Sequence, residues 1–180
     1  MISLELNSDI KLKQLEASDA LDIFKTIDYQ RAYLGKWLPF VEHTKQLYDT
    51  EQFVDSIVNA PKEQFEYVFT IQKQGGFIGL IGFKDTDLLN QKTEIGYWLS
   101  ETQQKQGIMT RSVCKLCDFV FQKLELNRIQ IKCAVGNLPS KKIPKTLGFK
   151  LEGIQRDGER LTGNVFADLE IYSKLKSDKP

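Results

Sequence analysis

Ile95-Gly96-Tyr97-Trp98-Leu99-Ser100-Glu101-Thr102-Gln103-Gln104-Lys105-Gln106-Gly107-Ile108-Met109-Thr110 is the stretch that decides how this chain folds. It opens with apolar and aromatic residues suited to a β-strand. A polar run from Ser100 to Gln106 follows, and Gly107 closes that run where a helical period begins. From Met109 onward Val113, Leu116, Cys117, Val120, Phe121 and Leu124 recur at spacings of three and four, one face of an amphipathic helix. A strand leading through a polar loop into a helix aims free backbone N–H groups and the positive end of a helix dipole at one point. Such a point suits a diphosphate, and Gly107, having no Cβ, lets the backbone approach it closely. An ordinary strand-to-helix connection has the same outline, so the loop must be read with its surroundings.

Outward from that stretch the periods are clear. Arg128 to Val135 alternates as a half-buried strand. A short helix then ends at Gly148, where a left-handed residue is expected, and strands follow near Phe149 to Arg156 and Val165 to Tyr172. Upstream, Phe65 to Gln72 and Phe77 to Phe83 are apolar runs joined by the hairpin signal Gly75-Gly76, and Thr93 to Leu99 returns as a further strand. The first third reads as a strand through Ile10, Leu12 and Leu15. Ser18 or Asp19 then caps a helix carrying Leu21, Phe24 and Ile27. Thr50 opens a second helix through Phe53, Val54, Ile57 and Val58, stopped by Pro61. The order β-α-α-β-β-β-α-β-α-β-β predicts an α/β (α+β) fold. Its sheet is mixed, largely antiparallel and six- to seven-stranded, with about four flanking helices and one right-handed crossover around the helix from Met109. Residues 1–175 are expected to form one domain and 176–180 a frayed tail.

The bulk properties narrow the function. With 41% hydrophobic and 27% charged residues the chain is in the globular range, and a net charge of +1 gives no general attraction to nucleic acid or to anionic membrane. No apolar run is long enough to span a bilayer, and the first residues lack the basic-then-apolar order of a secretory signal, so a cytoplasmic protein is expected. Cys114, Cys117 and Cys133 then read as reduced thiols. The Cys114-x-x-Cys117 pair sits in the helical apolar pattern and is read as core, with a redox role as the alternative; a metal site would need a second ligand pair, so none is expected. His43 reads as a loop residue. The loop at Gly107 lacks the Gly-Lys-Ser/Thr ending of a nucleoside-triphosphate loop and the repeated Gly of a dinucleotide fold. A diphosphate ligand that needs no metal remains, and coenzyme A fits.

These residues resemble the GNAT superfamily of N-acetyltransferases. Its pyrophosphate loop, Q/R-x-x-G-x-G/A, is matched by Gln104-Lys105-Gln106-Gly107-Ile108-Met109, with Met109 standing where the pattern has a small residue. The likeness continues through Leu126-Asn127-Arg128, Val135-Gly136-Asn137-Leu138-Pro139-Ser140, Leu147-Gly148-Phe149 and Asp168 to Ser173. Within the superfamily Ile95 to Leu99, Gly107-Ile108-Met109-Thr110 and Asn137-x-x-Ser140 resemble the branch that acetylates the N-termini of ribosomal proteins. The first third joins in mainly through Lys36-Trp37-Leu38-Pro39-Phe40.

The resemblance implies direct attack of an amine on acetyl-CoA in a ternary complex. Backbone groups of Leu99 and Ser100 would pair with the pantetheine amides, and Gln104 to Thr110 would hold the diphosphate. Asn137 would add a hydrogen bond, and Lys142, with Lys105, Arg111 and Lys141, would meet the 3′-phosphate. Many members protonate the leaving thiolate with a Tyr whose position here is Pro144, which cannot donate; Ser140 is the candidate in its place, or else merely lines the short helix. For the amine, Glu101 acting through a water is preferred to Glu94 as base, with Glu94 placed in the amine pocket; either could be only a surface charge. Trp37 and Phe40 would wall the acceptor pocket, or simply bury the first helix against the sheet. The expected acceptor is the α-amine of a ribosomal protein. A small amine such as a polyamine or aminoglycoside is the second enzyme reading, and an acyl-CoA-binding module without turnover the non-catalytic one. A homodimer is compatible with all three.

Overall fold

A computed structural model describes residues 1–178 apart from Lys62, Gln64 and Glu66. Its strands form one sheet in the order β1-β2-β3-β4-β5-β6-β8-β7. They are β1 (Ser3–Glu5), β2 (Ile10–Gln14), β3 (Val68–Lys73), β4 (Gly76–Asp87), β5 (Lys92–Leu99), β6 (Arg128–Ala134), β7 (Lys150–Leu161) and β8 (Val165–Leu175). The helices are α1 (Ala20–Tyr29), α2 (Arg31–Leu34), α3 (Phe40–His43), α4 (Leu47–Val58), α5 (Ile108–Gln122) and α6 (Leu138–Thr146). Every pairing is antiparallel except β5 with β6, which the α5 crossover makes parallel.

The fold class is the expected one, with more elements than expected. The additions are β1, only three residues long, and the four-residue helices α2 and α3, which lie in the aromatic stretch. Elements this short carry too few turns or alternations to show a period. Helix α4 begins at Leu47 rather than Thr50 because Gln46 and Asp49 form a capping box; the Asp49 carboxylate also accepts from the N–H of Lys45. Of the strand expected from Phe65 to Gln72, Glu66 is outside the described residues and the ladder starts at Val68. The hairpin tip is Gln74-Gly75, both at positive φ (51° and 82°), which matches a two-residue loop with Lys73 opposite Gly76. In the segment expected to be a loose tail, Lys176 N–H donates to the Asn127 carbonyl and Asp178 pairs with Lys150; Lys179 and Pro180 are outside the described residues.

Two clusters cover opposite faces of the sheet. On one face Ile95 and Leu99 of β5 and Ile129, Ile131 and Cys133 of β6 pack under Val113, Leu116, Cys117 and Val120 of α5. Phe119 of α5 meets Tyr67, Phe69 and Phe83 there. On the other face Trp98 and Leu80 pack against Ile23 and Ile27 of α1 and Val54 of α4. Each large apolar side chain fully buried this way contributes about 1.5–3 kcal/mol. Strand period two therefore sends neighbouring residues of β5 to different layers, Tyr97 towards α5 and α6, and Glu94 with Trp98 towards the N-terminal helices.

Candidate active site

The site starts where β5 and β6 stop pairing. Their ladder runs from Lys92 opposite Arg128 to Glu94 opposite Gln130, although β5 continues to Leu99 and β6 to Ala134. On its other edge β5 stays paired with β4 up to Leu99 opposite Gly79. From Ile95 to Leu99 the edge turned towards β6 thus presents backbone groups without a strand partner, a surface able to pair with an extended amide-bearing arm. The Ser100 N–H donates to the Ile78 carbonyl at 2.8 Å, fixing the strand end where the loop departs.

Beyond that end the chain makes a short 3₁₀ turn, Glu101–Gln103, and reaches Gly107, the N-cap of α5, at φ +70°. That left-handed conformation is the reason for glycine here, and beyond its two chain neighbours no residue comes within 4 Å of where a Cβ would stand. The α5 N-terminus therefore offers N–H groups and positive dipole to an anion without side-chain obstruction. Met109 is 7% exposed and packs into the core with Ile108, so its bulk points away from solvent. Lys73 from β3 braces the loop by donating to Gln103 (3.1 Å) and Gln106 (2.9 Å), and Gln104 reaches back to the Leu99 carbonyl at 3.4 Å.

On the α5 side of the opening, Tyr97, Cys133 and Ser140 converge. The Ser140 hydroxyl lies 3.3 Å from both the Tyr97 hydroxyl and the Cys133 sulfur. Asn137 caps α6, its Oδ1 accepting from the Ser140 N–H at 3.3 Å. Pro144 sits inside α6 and has no N–H for the Ser140 carbonyl one turn earlier; the Tyr97 hydroxyl donates to that carbonyl instead, at 3.3 Å. Burial pushes the Tyr97 phenol well up and raises the Cys133 thiol as well. Lys141 is occupied structurally, its Nζ bound to Glu170 and to the Val135 carbonyl, whereas Lys142 and Lys145 are exposed beside it with Leu138 and Thr146.

On the opposite face lies a group of charges. Glu94 is 4% exposed, and its carboxylate takes Lys84 of β4 at 2.9 Å, Lys132 of β6 at 3.0 Å and the Gln130 amide at 3.2 Å. Burial alone would raise its pKa, but the Lys84 charge and the lysine hydrogen bonds outweigh it and hold the carboxyl below its usual value. Glu159 of β7 joins this group. Burial pushes its carboxyl up, with Lys84 opposing and Glu94 adding to the rise. Sequence reasoning missed Glu159, because the expected strand stopped at Arg156. Between Gln155 and Glu159 the ladder shifts so that β7 spends four residues where β8 spends two, and that irregularity had no sequence period to announce it.

Glu101 is exposed at the start of the 3₁₀ turn, its N–H donating to Gln30 Oε1 at 2.8 Å. The same Gln30 amide donates to the Ser100 hydroxyl at 2.7 Å, tying the end of α1 to the loop. Gln30 is a second residue that sequence reasoning missed, being 70 positions from its partner. Trp37 is half-buried against Gly136, while Phe40 opens α3 and is 40% exposed. His43 ends α3 and is exposed, so it lies in a short helix and not in a loop. Cys114, expected in the core, is exposed on α5; Cys117 is buried, and burial pushes its thiol up to about 12. Among the described residues no three His, Cys, Asp or Glu side chains group as a metal site, and no helix is long and apolar enough to cross a membrane.

A parallel strand pair that parts over a helix N-terminus, with hydroxyl and thiol groups on one side of the gap and carboxylates on the other, suits a transferase whose donor has an amide-bearing arm and an anionic end. The model of the acetyltransferase (GNAT) domain family matches residues 9–150, and this chain belongs to that family. YdaF of Bacillus subtilis (strain 168), a putative ribosomal N-acetyltransferase, is 34% identical, the match covering 99% of this chain and 97% of YdaF. The ribosomal-protein-serine acetyltransferase of Escherichia coli (strain K12) is 28% identical over 96% of each protein. Among solved structures, the microcin C7 self-immunity acetyltransferase MccE in complex with acetyl-CoA and AMP is similar with a TM-score of 0.88. The two share 26% identity over 94% of each chain.

Proposed function

We propose that this protein transfers the acetyl group of acetyl-CoA to the free α-amine of a protein N-terminus, a ribosomal protein in the first instance, in the cytoplasm. The observation that carries the reading is the parting of β5 from β6 after Glu94, between the Ser140 cluster and the Glu159 cluster. The names of the relatives supply the acceptor class.

In this reading the free edge of β5 up to Leu99 and Ser100 aligns the pantetheine arm, and the α5 N-terminus at Gly107 to Thr110 receives the diphosphate. Exposed Lys142 and Lys105 meet the 3′-phosphate. Ser140 hands its proton to the departing thiolate and is held for that by Asn137, Tyr97 and Cys133. The amine must lose a proton to attack, and an α-amine near pKa ~8 needs only a modest base. Glu94 is the weakest candidate base, since its lysines keep it ionised and occupied. Glu101 and Glu159 remain, Glu159 with its carboxyl raised by burial and by the neighbouring Glu94 charge.

Peptides differing only in a free or blocked N-terminus, incubated with acetyl-CoA and mapped by mass spectrometry, test the acceptor. Acetyl on the α-amine alone is expected. Acetyl confined to internal lysines or to polyamines would overturn the acceptor assignment.

A further inference from the structure

The chain between α1 and α3 crosses the acceptor side of the opening as a strap. Gln30 ties its beginning to Ser100. Further along, the Thr162 hydroxyl, from the β7–β8 turn, donates to the Gly35 carbonyl at 3.0 Å across 127 positions. Trp37 then lays its ring on Gly136, which lies between the end of β6 and the Asn137 cap of the Ser140 helix.

Gly136 has no conformational reason to be glycine, since its φ lies outside the left-handed region. It has a steric one. A Cβ at 136 would stand 2.9 Å from Trp37 Cη2, well inside the ~3.5–4.0 Å at which carbon atoms rest. The backbone there cannot easily yield, because Asn137 N–H donates to Ala134 at 2.8 Å and Leu138 N–H to Gly136 at 3.1 Å. An added side chain at 136 would therefore displace the Trp37 ring, which is half-buried on a segment between short helices.

We infer that Gly136 determines acceptor specificity: its missing side chain lets the Trp37 ring close the acceptor side of the β5–β6 opening and so limits how bulky the acceptor's first residue can be. The inference rests on the α-amine reading for its substrate, and on the strap contacts for its geometry. An indole seated on backbone is a rigid wall, and a rigid wall discriminates between acceptors by volume. Packing alone would make the same contact matter for stability, with no effect on the choice between acceptors.

The experiment measures kcat/KM for peptides identical except for a first residue of Ser, Ala, Leu or Phe. The enzymes are wild type, Gly136→Ala, Trp37→Ala and the double variant. Each single change should shift the Ser-over-Leu preference towards Leu by at least roughly ten- to a hundredfold, the range that a single methylene is worth in a pocket. Acetyl-CoA affinity should stay unchanged, and the double variant should resemble Trp37→Ala, because both changes remove one wall. A uniform loss for all four peptides, or additive effects in the double variant, would overturn the inference. If Gly136→Ala does not fold, Trp37→Ala still decides, and an unchanged preference in that variant sinks the idea. If wild type acetylates amines but no peptide N-terminus, the acceptor reading fails separately. The same variants tested on linear and branched primary amines then decide whether Gly136 sets the size limit.

Discussion

Glu94 and Glu159 see the same two lysines and respond in opposite senses. Glu94 is hydrogen-bonded by Lys84 and Lys132 and is held low; Glu159 is raised by burial and by the Glu94 charge, with the lysines only partly compensating. Glu159→Gln should therefore lower kcat by about 10²–10⁴, the span usual for general acid–base groups, with acetyl-CoA binding intact. Glu101→Gln is the companion variant, and the larger kcat loss of the two identifies the base in steady-state assays. Ser140→Ala should cost a comparable factor when chemistry limits the rate, since its neighbour Tyr97 is made a poorer acid by burial. Near-normal turnover in that variant would reduce Ser140 to a lining residue. Ser140 could be found in sequence because Asn137-x-x-Ser140 resembles the motif of the family, and Asn137 caps the short helix that carries it. Glu159 could not, because its role depends on strands far from it in the chain.

At the scale of elements, α6 and α5 each depend on one residue with an unusual backbone. Pro144 leaves the Ser140 carbonyl without its helical donor, and Tyr97 reaches across from β5 to fill the gap. Tyr97→Phe should cost about 1 kcal/mol in urea unfolding, the usual net worth of a hydrogen bond at a half-buried acceptor. In a Pro144→Ala background the restored N–H should remove much of that cost, and additive effects of the two changes would show that the phenol and the carbonyl are uncoupled. At α5, Gly107 combines positive φ with the anion-facing N-terminus. Gly107→Ala should cost about 1 kcal/mol of stability from backbone strain alone. Gly107→Glu adds a negative charge where the diphosphate belongs, so calorimetry should show a sharp fall in acetyl-CoA affinity beyond that of the Ala variant. The Gly107 turn was readable because strand, polar loop, glycine and helix follow one another directly.

Across the whole molecule, acid stability depends on a link between β6 and the edge strand β7. Arg128 makes two hydrogen bonds to Glu152, which also accepts from Ser173. The Arg128 hydrogen bonds, and less strongly Ser173, pull the Glu152 carboxyl down to about 2. Its folded pKa lies below its unfolded one, so the unfolded chain binds this proton more readily. The stabilisation is complete above the ordinary glutamate range and is lost as pH falls towards about 2. Thermal unfolding between pH 5 and pH 2 should show a shallower decline for Glu152→Gln than for wild type, in a salt-sensitive way because the pair is partly exposed. An identical slope would remove the link from the account of acid stability.

The sequence by itself determined the strand ending at Leu99, the polar loop closed by Gly107, the amphipathic α5 and the short helix ending at Gly148. Each follows from propensity, period or turn chemistry within about 15 residues, where local physics is decisive. Only the tertiary structure decided how far β5 and β6 pair before parting, which lysines hold Glu94, that Glu159 joins them, and that Trp37 rests on Gly136 while Gln30 holds Ser100. The carboxylate group depends on sheet register and on an irregularity in β7, and the contacts of Gln30 and Trp37 on how the helical segment packs; both come from the fit of distant surfaces. A one-residue slip would turn Lys84, Glu94, Lys132 or Glu159 to the other face of the sheet, and no local pattern records which slip is avoided.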